Sequence, residues 1–432
     1  MRKLLERDFK EQFWSSIESI DLDKHIILVY SLKFENVSPI KVAEEICVEN
    51  STGTWTPVSY ETLDIRKEHG AKTIGLYSTH SGDYVIMVAV NSQDYDPEKG
   101  GLSALLADVA GNVYEIKMIE KIKLLDIFFP RSWLSAFRGP KYGIEGVREM
   151  TNTLDYRRPL IGAIVKPNIG LDPRTISVIA YEVALGGVDF IKDDEGLVET
   201  SYCSIEDKVS YVEEALDKAC EETGKRAFYV YNITADKHEQ VVRMAELVKS
   251  LGGKHLMISG TYSGFGVVRM LAEDESINLP IFVHTAGKEA FTRLRDYGIS
   301  AAVFSKIWRI VGADEVLTSA IAGKFHVDLT EAKRQVIYLR SKLYNFKPSF
   351  PVIAAGLHPG SIKAACDFTG NDILIFSGGG ILGHPMGATA GAKAMLQAVM
   401  AWMENIDPLE FSKGKPELAN AIELWGVRRL EE

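Results

Sequence analysis

From Leu160 onward, short runs of β-branched and aromatic residues alternate with amphipathic stretches of helical character. The runs predicted to be strands are LIGAIV (160–165), VDFIKD (188–193), AFYVYN (227–232), HLMIS (255–259), PIFVH (280–284), EVLTS (315–319), FPVIAA (350–355) and DILIFS (372–377). Eight strands alternating with helices over roughly 250 residues are typical of a (β/α)8 TIM barrel. The alternative is an open doubly wound sheet. No Gly-x-Gly-x-x-Gly turn follows the first strand, which favours the barrel.

The N-terminal part of the chain has a different pattern. Strand-like segments at 26–34 and 83–90 occur with a predicted helix near 38–46. We therefore predict an N-terminal α+β domain of ferredoxin-like type over residues 1–135. A (β/α)8 barrel catalytic domain with short C-terminal helices is predicted over residues 136–432. The turn signals Phe-Phe-Pro (128–130) and Arg-Gly-Pro (138–140) lie near this boundary.

Composition excludes several classes of protein. A net charge of −10, with no basic stripe between aromatics, disfavours a nucleic-acid partner. The first residues, MRKLLERD, lack the apolar core of a signal peptide, and no apolar stretch is long enough to predict a membrane span. The four scattered cysteines predict reduced thiols and a cytoplasmic location, with neither a disulfide framework nor a zinc site.

Residues 189–195 read DFIKDDE and concentrate charge at the end of the second predicted barrel strand. Since side chains alternate along a strand, Lys192 and Asp194 are expected on one face and Asp193 on the other. Asp194 and Glu195 suit a hard divalent cation such as Mg²⁺. Lys192 fits such a site if its neutral amine adds CO₂ and becomes an anionic carbamate. A salt-bridged cluster at a strand end is the alternative interpretation of these residues.

Other unusual residues also fall where predicted strands end, which is where barrel enzymes place their catalytic groups. Singly, each has a simpler explanation: a strand-end histidine is more often structural, and Gly-Lys or Gly-Gly-Gly is often only a turn. Because the unusual residues fall at six strand ends that meet at one end of a barrel, a single shared site explains them better than six unrelated features. Glycines after the seventh and eighth strands are also typical of phosphate cradles. Besides Lys192, Asp194 and Glu195, the candidates are Lys166, His284, Gly323-Lys324, Gly356 and Gly378-Gly379-Gly380.

Lys166, the DFIKDDE run and the Gly-Gly-Gly turn lie within longer motifs that resemble the large subunit of ribulose-bisphosphate carboxylase. The similarity covers almost the whole chain, with the motifs in the same order. The DFIKDDE run and the Gly-Gly-Gly-x-x-Gly-His-Pro run together are highly specific for this family. The matching motifs are ENSTGTWT (49–56), GNV (111–113), FRGP (137–140), RPL (158–160), KPNIGL (166–171), GGVDFIKDDE (186–195), GGGILGHPMG (378–387) and PELANAIELW (416–425).

The resemblance implies a role for each candidate residue. Lys192 would be carbamylated and bind Mg²⁺ with Asp194 and Glu195. Lys166 would move the substrate's proton, Lys324 would be the lid lysine, and His284 would line the site. The residues implied to bind one phosphate are Thr54, Gly356, Gly378 and Gly379. Glu49, Thr54 and Asn112 would complete the site of a partner subunit, which implies an obligate homodimer with shared active sites and possibly an oligomer of dimers.

The sequence departs from the family pattern at the second phosphate site. The family has an arginine, a histidine and a serine where this chain has Thr285, Leu317 and Ala354. A phosphate dianion against such a wall would be strongly disfavoured. Asn168 also replaces a lysine that assists carboxylation. These departures favour a non-carboxylating RuBisCO-like protein with a monophosphorylated substrate.

The resemblance then implies an Mg²⁺-dependent enediolate-forming lyase or isomerase. A decarboxylase or transcarboxylase of 3-oxo-isoapionate 4-phosphate type is favoured because Asn112, Lys166 and Lys324 are all present. The alternative is an enolase of methionine salvage acting on 2,3-diketo-5-methylthiopentyl 1-phosphate. Those enolases place a lysine base where this chain has Asn112. A true carboxylase, an inactive scaffold or regulatory protein, and a Schiff-base aldolase are further alternatives.

Overall fold

The computed structural model describes residues 13–54, 56 and 58–430. The N-terminal segment on which the signal-peptide prediction rests lies outside the described residues, as do two positions close to Thr54 and the last two residues. Among the described residues, no helix is both long enough and apolar enough to cross a membrane. The chain divides into two compact units. The first comprises Met1–Phe137 and Gly287–Phe304, and the second comprises Arg138–Ala286 and Ser305–Glu432.

The first unit contains a five-stranded sheet in the order β10-β4-β1-β3-β2. Its central strand β1 pairs antiparallel with β3 and β4, and only β10 joins in parallel. The chain path β1-helix-β2-β3-helix-β4, with strand order 4-1-3-2, is the ferredoxin-like arrangement, so the predicted α+β domain is confirmed. The strands are β1 His25–Lys33, β2 Lys72–Ser78, β3 Tyr84–Asn91, β4 Lys121–Phe128 and β10 Gly298–Ile299.

The second unit is built on a closed barrel of eight parallel strands in the order β11-β12-β13-β5-β6-β7-β8-β9. Each of the eight predicted runs becomes one barrel strand, which confirms the (β/α)8 prediction and excludes the open sheet. The strands are β5 Leu160–Ile164, β6 Phe190–Lys192, β7 Phe228–Asn232, β8 His255–Ser259, β9 Ile281–His284, β11 Glu315–Leu317, β12 Phe350–Ile353 and β13 Leu374–Ser377.

Helices follow most strands, and several start at side-chain caps. Asp172 accepts hydrogen bonds from the N–H groups of Arg174 and Thr175, and Ser204 accepts one from Asp207. The helices are Pro39–Glu49, Leu63–His69, Gly101–Val109, Arg131–Leu134, Gly143–Met150, Pro173–Leu185, Ile205–Thr223, His238–Ser250, Gly260–Ser263, Phe265–Glu273, Glu289–Thr292, Ala301–Ile310, Leu329–Arg340, Ile362–Thr369, Gly379–Leu382, Ala388–Met403, Pro408–Phe411 and Pro416–Trp425. Short 3₁₀ turns lie at Ile17–Ser19, Ser92–Tyr95, Asn112–Glu115 and Pro359–Ser361.

Large apolar side chains fill the interior of the barrel. Phe190, Phe282, Phe350 and Phe376 are fully buried in one cluster with branched aliphatic residues. The ring of Phe282 meets the ring of Phe376 edge-on, with centroids 5.7 Å apart. Because this core fills the middle of the barrel, a ligand can bind only at the ends of the strands. The candidate residues of the barrel lie at the C-terminal ends of the strands.

Candidate active site

Three potential metal ligands converge at the C-terminal ends of β6 and β9. Ligand atoms of Asp194, Glu195 and His284 all lie within 4.8 Å of one another. His284 Nε2 is 3.7 Å from Glu195 Oε2. Lys192 Nζ lies 3.7 Å from Asp194 Oδ1. The structure therefore brings together Lys192, Asp194 and Glu195 of the DFIKDDE run, and adds a histidine from another strand.

Lys192 lies in apolar surroundings although it carries an amine. Its side chain is fully buried, with Nζ 5.7 Å from the ring centroid of Phe282, 5.8 Å from that of Phe376 and 3.9 Å from the sulfur of Met257. The amine donates a hydrogen bond of 2.9 Å to the carbonyl of Asp193. Burial lowers the pKa of the Lys192 amine, against the attraction of the neighbouring carboxylates. The lowered pKa makes the neutral amine, the form that can react with CO₂, easier to reach than for an exposed lysine.

The two carboxyl groups affect each other's protonation. Burial by itself would raise the pKa of Asp194, but the hydrogen bond with Glu195 and the charge of Lys192 outweigh it and hold this pKa well below its usual range. The hydrogen bond to Asp194, together with burial, raises the pKa of Glu195. Two carboxyl groups this close are most stable when a proton or a cation lies between them. This donor set therefore fits a divalent cation.

Asp193 points away from this cluster, as the alternation along a strand requires. Its fully buried carboxylate accepts hydrogen bonds from Lys208 Nζ at 2.6 Å, Tyr229 Oη at 2.7 Å and the backbone N–H of Asn232 at 2.9 Å. Lys208 also donates to the carbonyl of Leu197. Asp193 therefore anchors residues 193–196, named here the metal loop after its predicted role, and is unavailable as a ligand.

Lys166 lies at the end of β5 and reaches the same cluster. Its amine contacts the carboxylate of Asp194, and its side chain is less than half exposed. A Cβ built on Gly378 would lie 3.3 Å from Lys166 Cγ and Cε, so this lysine passes directly beside the Gly-Gly-Gly turn. Gly379 has open space where a side chain would lie. The predicted proton carrier and the glycines predicted to bind phosphate are therefore adjacent.

The loop after β11 carries Lys324 and is tied down at its base. The backbone N–H of Lys324 donates to the carbonyl of Ala355 at 3.0 Å. Arg428 Nη1 donates to the carbonyls of Ala322 and Gly323 at 2.8 and 2.7 Å. The Lys324 side chain is exposed, with Nζ 5.0 Å from the ring centroid of Phe325. The C-terminal segment thus holds the base of this loop while Lys324 stays accessible.

Gly356→Ala tests how closely this loop approaches the phosphate cradle. Gly356 has φ +80°, and a Cβ there would lie 2.6 Å from Lys324 Cβ and 2.9 Å from its backbone nitrogen. We expect the variant to lose at least about 2 kcal/mol of stability and to displace Lys324. Chemical denaturation and turnover would measure both effects. Ala355→Gly is the matched control, because Ala355 already has φ +73° and glycine relieves that strain. Equal stability of Gly356→Ala and wild type would contradict the close approach.

The wall formed by Thr285, Leu317 and Ala354 has no side-chain donor left for an anion. The hydroxyl of Thr285 donates its hydrogen to the carbonyl of Leu317 at 2.7 Å, so it can only accept hydrogen bonds from other groups. The neighbouring hydroxyl of Thr318 is likewise committed, to the carbonyl of Val352 at 2.8 Å. Ala354 is buried and apolar. These side chains therefore present an apolar or hydrogen-bond-accepting surface.

Asn168, the other departure from the family pattern, also contacts the metal loop. Its Oδ1 accepts a hydrogen bond from the backbone N–H of Gly196 at 2.9 Å. A Cβ on Gly196 would collide with the Asn168 carbonyl at 2.8 Å, so the two segments pack closely. In this structure, Asn168 holds the residue that follows Glu195.

The remaining predicted site residues lie in the first unit. Glu49 is the last residue of a helix and is half-buried, and Asn112 is exposed at the start of a 3₁₀ turn. Thr54 Oγ1 donates to Glu61 Oε2 at 3.0 Å. Their contribution to a partner's site stays a prediction.

Sequence reasoning missed several residues that support the site. Lys208, Tyr229 and Asn232 hold the metal loop, and Arg428 holds the base of the Lys324 loop. A lysine among the mostly apolar buried positions of the helix Ile205–Thr223 was a signal that could have identified Lys208. The sequence offers no comparable signal for Arg428, because it lies 105 residues from Gly323 in the chain.

Two family models match this chain over nearly its whole length. Residues 15–133 match the N-terminal domain of the ribulose bisphosphate carboxylase large chain, and residues 144–425 match its catalytic domain. The chain belongs to the ribulose bisphosphate carboxylase large-chain family. The barrel with its separate N-terminal domain is the architecture that this membership requires.

Similar family members include proteins named as carboxylases and one named as carboxylase-like. The chain is 36% identical to ribulose bisphosphate carboxylase of Archaeoglobus fulgidus over 405 residues, covering 89% of this chain and 90% of the relative. It is 37% identical to a ribulose bisphosphate carboxylase-like protein of the same organism over 407 residues, covering 91% of each. The octameric RuBisCO of Pyrococcus horikoshii superimposes with a TM-score of 0.89 at 33% identity, over 98% of both chains. Overall similarity thus establishes the family, and the choice between carboxylase and non-carboxylase depends on individual site residues.

Proposed function

We propose that this protein is a non-carboxylating, RuBisCO-like enzyme that forms an enediolate from a keto compound carrying a single phosphate. The observation that carries the proposal is the wall at Thr285, Leu317 and Ala354. The only hydroxyl hydrogen among these side chains is donated to a backbone carbonyl, so nothing there neutralises a dianion. Removing a phosphate from water without compensating donors costs several kcal/mol or more.

The residues at the ends of β6 and β9 fit a magnesium ion. Lys192, carrying CO₂ as a carbamate, would hold it together with Asp194 and Glu195. When bound, Mg²⁺ would supply Lewis-acid stabilisation of negative charge on the substrate's oxygens. The apolar surroundings of Lys192 and the converging carboxylates support this assignment.

The chain's own residues would bind the substrate and move its proton. Lys166, beside both Asp194 and Gly378, is suited to carry a proton to or from a carbon next to the ketone. Gly356, Gly378 and Gly379 would receive the phosphate through backbone N–H groups. Lys324 would contact a carboxylate as its loop closes.

Loss or transfer of CO₂ from a β-keto acid of the 3-oxo-isoapionate 4-phosphate type is the reaction we favour. Such a substrate has one phosphate for the glycine turn and one carboxylate for Lys324. The retained Asn112 supports this choice over the methionine-salvage enolases, which have a lysine at that position.

Enolisation of 2,3-diketo-5-methylthiopentyl 1-phosphate is the second candidate. It is supported by the apolar side chains of Leu317 and Ala354, which would suit a methylthio group at the end remote from the phosphate.

Substrate assays separate these reactions. With Mg²⁺ and bicarbonate, we expect CO₂ release from 3-oxo-isoapionate 4-phosphate and no fixation of ¹⁴CO₂ on ribulose bisphosphate. Turnover of the methylthio diketone without CO₂ release would reverse the choice between the two candidates. Fixation of ¹⁴CO₂ would contradict the non-carboxylating proposal. The variant Lys166→Met lacks the proposed proton carrier and serves as the negative control in these assays.

We also propose that the active unit is a homodimer and that such dimers can assemble into a higher oligomer. Glu49, Thr54 and Asn112 of one protomer would then complete the site of the other. The octameric assembly of the Pyrococcus horikoshii relative supports a multimeric state. Size-exclusion chromatography with light scattering would test this, and a monomer with full activity would contradict it.

A further inference from the structure

Asn232, the last residue of β7, contacts the backbone of the metal loop. Its side chain is fully buried, and Nδ2 donates to the carbonyl of Asp194 at 3.2 Å and to that of Glu195 at 3.3 Å. Its backbone N–H donates to the carboxylate of Asp193 at 2.9 Å. One residue therefore contacts three consecutive residues of the DFIKDDE run.

The orientation of this amide is determined by its other end. Asn232 Oδ1 accepts hydrogen bonds from the hydroxyl of Thr234 at 2.6 Å and from its backbone N–H at 3.1 Å. The Thr234 hydroxyl in turn accepts one from the backbone N–H of Ser259 at 2.9 Å. A flipped amide would place its oxygen against two carbonyls and its NH₂ against two donors, so only the observed orientation satisfies every group.

The metal loop needs such support because the strand ends before it. Strand β6 ends at Lys192, so the hydrogen bonds of the barrel sheet do not extend to Asp194 and Glu195. Their carboxylates and the imidazole of His284 must nevertheless stay within a few ångströms of one another. Backbone rotation at either residue would swing its carboxylate away from the others.

We propose that Asn232 is a positioning residue for the metal site. By holding the carbonyls of Asp194 and Glu195, it fixes the direction in which both carboxylates project. The inference rests on the proposed function, because it requires that these carboxylates bind a cation. It assigns a role to a residue that touches neither the cation nor the substrate.

The test measures metal affinity directly. Asn232→Asp keeps the shape of the side chain but removes the Nδ2 donor and sets a carboxylate against two carbonyls. We expect isothermal titration with Mg²⁺ in bicarbonate buffer to show binding about 10–100-fold weaker than in wild type. Tyr231→Phe is the matched control, since it removes a buried hydrogen bond of 2.7 Å from the same strand to Glu213 but none to the metal loop. Its Mg²⁺ affinity should equal that of wild type.

The possible outcomes separate this inference from the proposed function. If Asn232→Asp binds Mg²⁺ as tightly as wild type, or if Tyr231→Phe loses as much affinity, the positioning role is wrong. If wild type itself binds no Mg²⁺, the metal site is wrong, and both proposals fall together. Should Asn232→Asp not fold, Thr234→Val removes the hydroxyl that orients the amide. A weaker affinity in Thr234→Val supports the role, and an unchanged affinity overturns it.

Discussion

Replacement of Lys192 by methionine is expected to abolish Mg²⁺-dependent turnover while leaving the fold intact. Methionine has a similar length and suits the apolar surroundings of Phe282, Phe376 and Met257. It cannot form a carbamate, so one anionic ligand is lost and the remaining carboxylates bind the cation weakly. We expect turnover to fall by on the order of 10³-fold or more. Burying an amine is costly, so the free energy of unfolding should be unchanged or higher.

Lys166→Met is the informative comparison for this variant. It should lose turnover to a similar degree but keep Mg²⁺ binding, because its proposed role is to carry a proton. Calorimetric titration with Mg²⁺ in the presence of bicarbonate measures the binding, and a steady-state assay measures turnover. A Lys192→Met protein that still bound Mg²⁺ like wild type would show that Lys192 is not a ligand and would favour the salt-bridged cluster.

Replacement of Lys208 by methionine is expected to produce the largest loss of stability. Lys208 and Asp193 are both fully buried and lie 2.6 Å apart. Removing the amine leaves the Asp193 carboxylate without its counter-charge in the interior, which typically costs about 3–5 kcal/mol. Urea denaturation followed by circular dichroism would measure the change. Because Asp193 anchors the metal loop, Mg²⁺ affinity should fall as well.

Lys413→Met is the control for the loss of a lysine as such. Lys413 pairs with Glu410 at 3.3 Å, and both side chains are largely exposed. Solvent screens such a pair, so this variant should change stability by at most about 0.5 kcal/mol. Comparable losses in Lys208→Met and Lys413→Met would contradict the importance of the buried pair.

The barrel could be predicted because its strands are buried on both faces. Runs such as LIGAIV and DILIFS therefore consist almost wholly of apolar residues, and amphipathic stretches separate them. Their number then implies a closed barrel. The exact ends were harder to predict: VDFIKD predicted a strand to residue 193, but β6 ends at Lys192, where the loop turns toward the cation site. Strand ends depend on which backbone groups find partners, and that is decided by neighbours distant in the sequence.

Part of the candidate site could also be predicted, because it follows from local periodicity and from the topology of the strands. The alternation of side chains placed Lys192 and Asp194 together and Asp193 apart, and the topology of a parallel barrel brought His284 to the same end. The supporting residues Asn232 and Arg428 could not be predicted, because their partners are backbone carbonyls of other segments. Any residue type has a backbone carbonyl, so such partners leave no pattern in the sequence.

The sequence by itself determined the class of fold, the cluster of ligands after the second barrel strand and the loss of the arginine, histidine and serine at the far end of the pocket. These depend on residue type and local periodicity, which are written in the chain. Only the tertiary structure decided three hydrogen-bonded contacts. The Thr285 hydroxyl donates to the carbonyl of Leu317, and Lys208 donates to the carboxylate of Asp193. The side chain of Asn232 donates to the carbonyls of Asp194 and Glu195. These contacts join residues 15 to 38 positions apart in the chain, and they form only when the packed barrel brings its strand ends together.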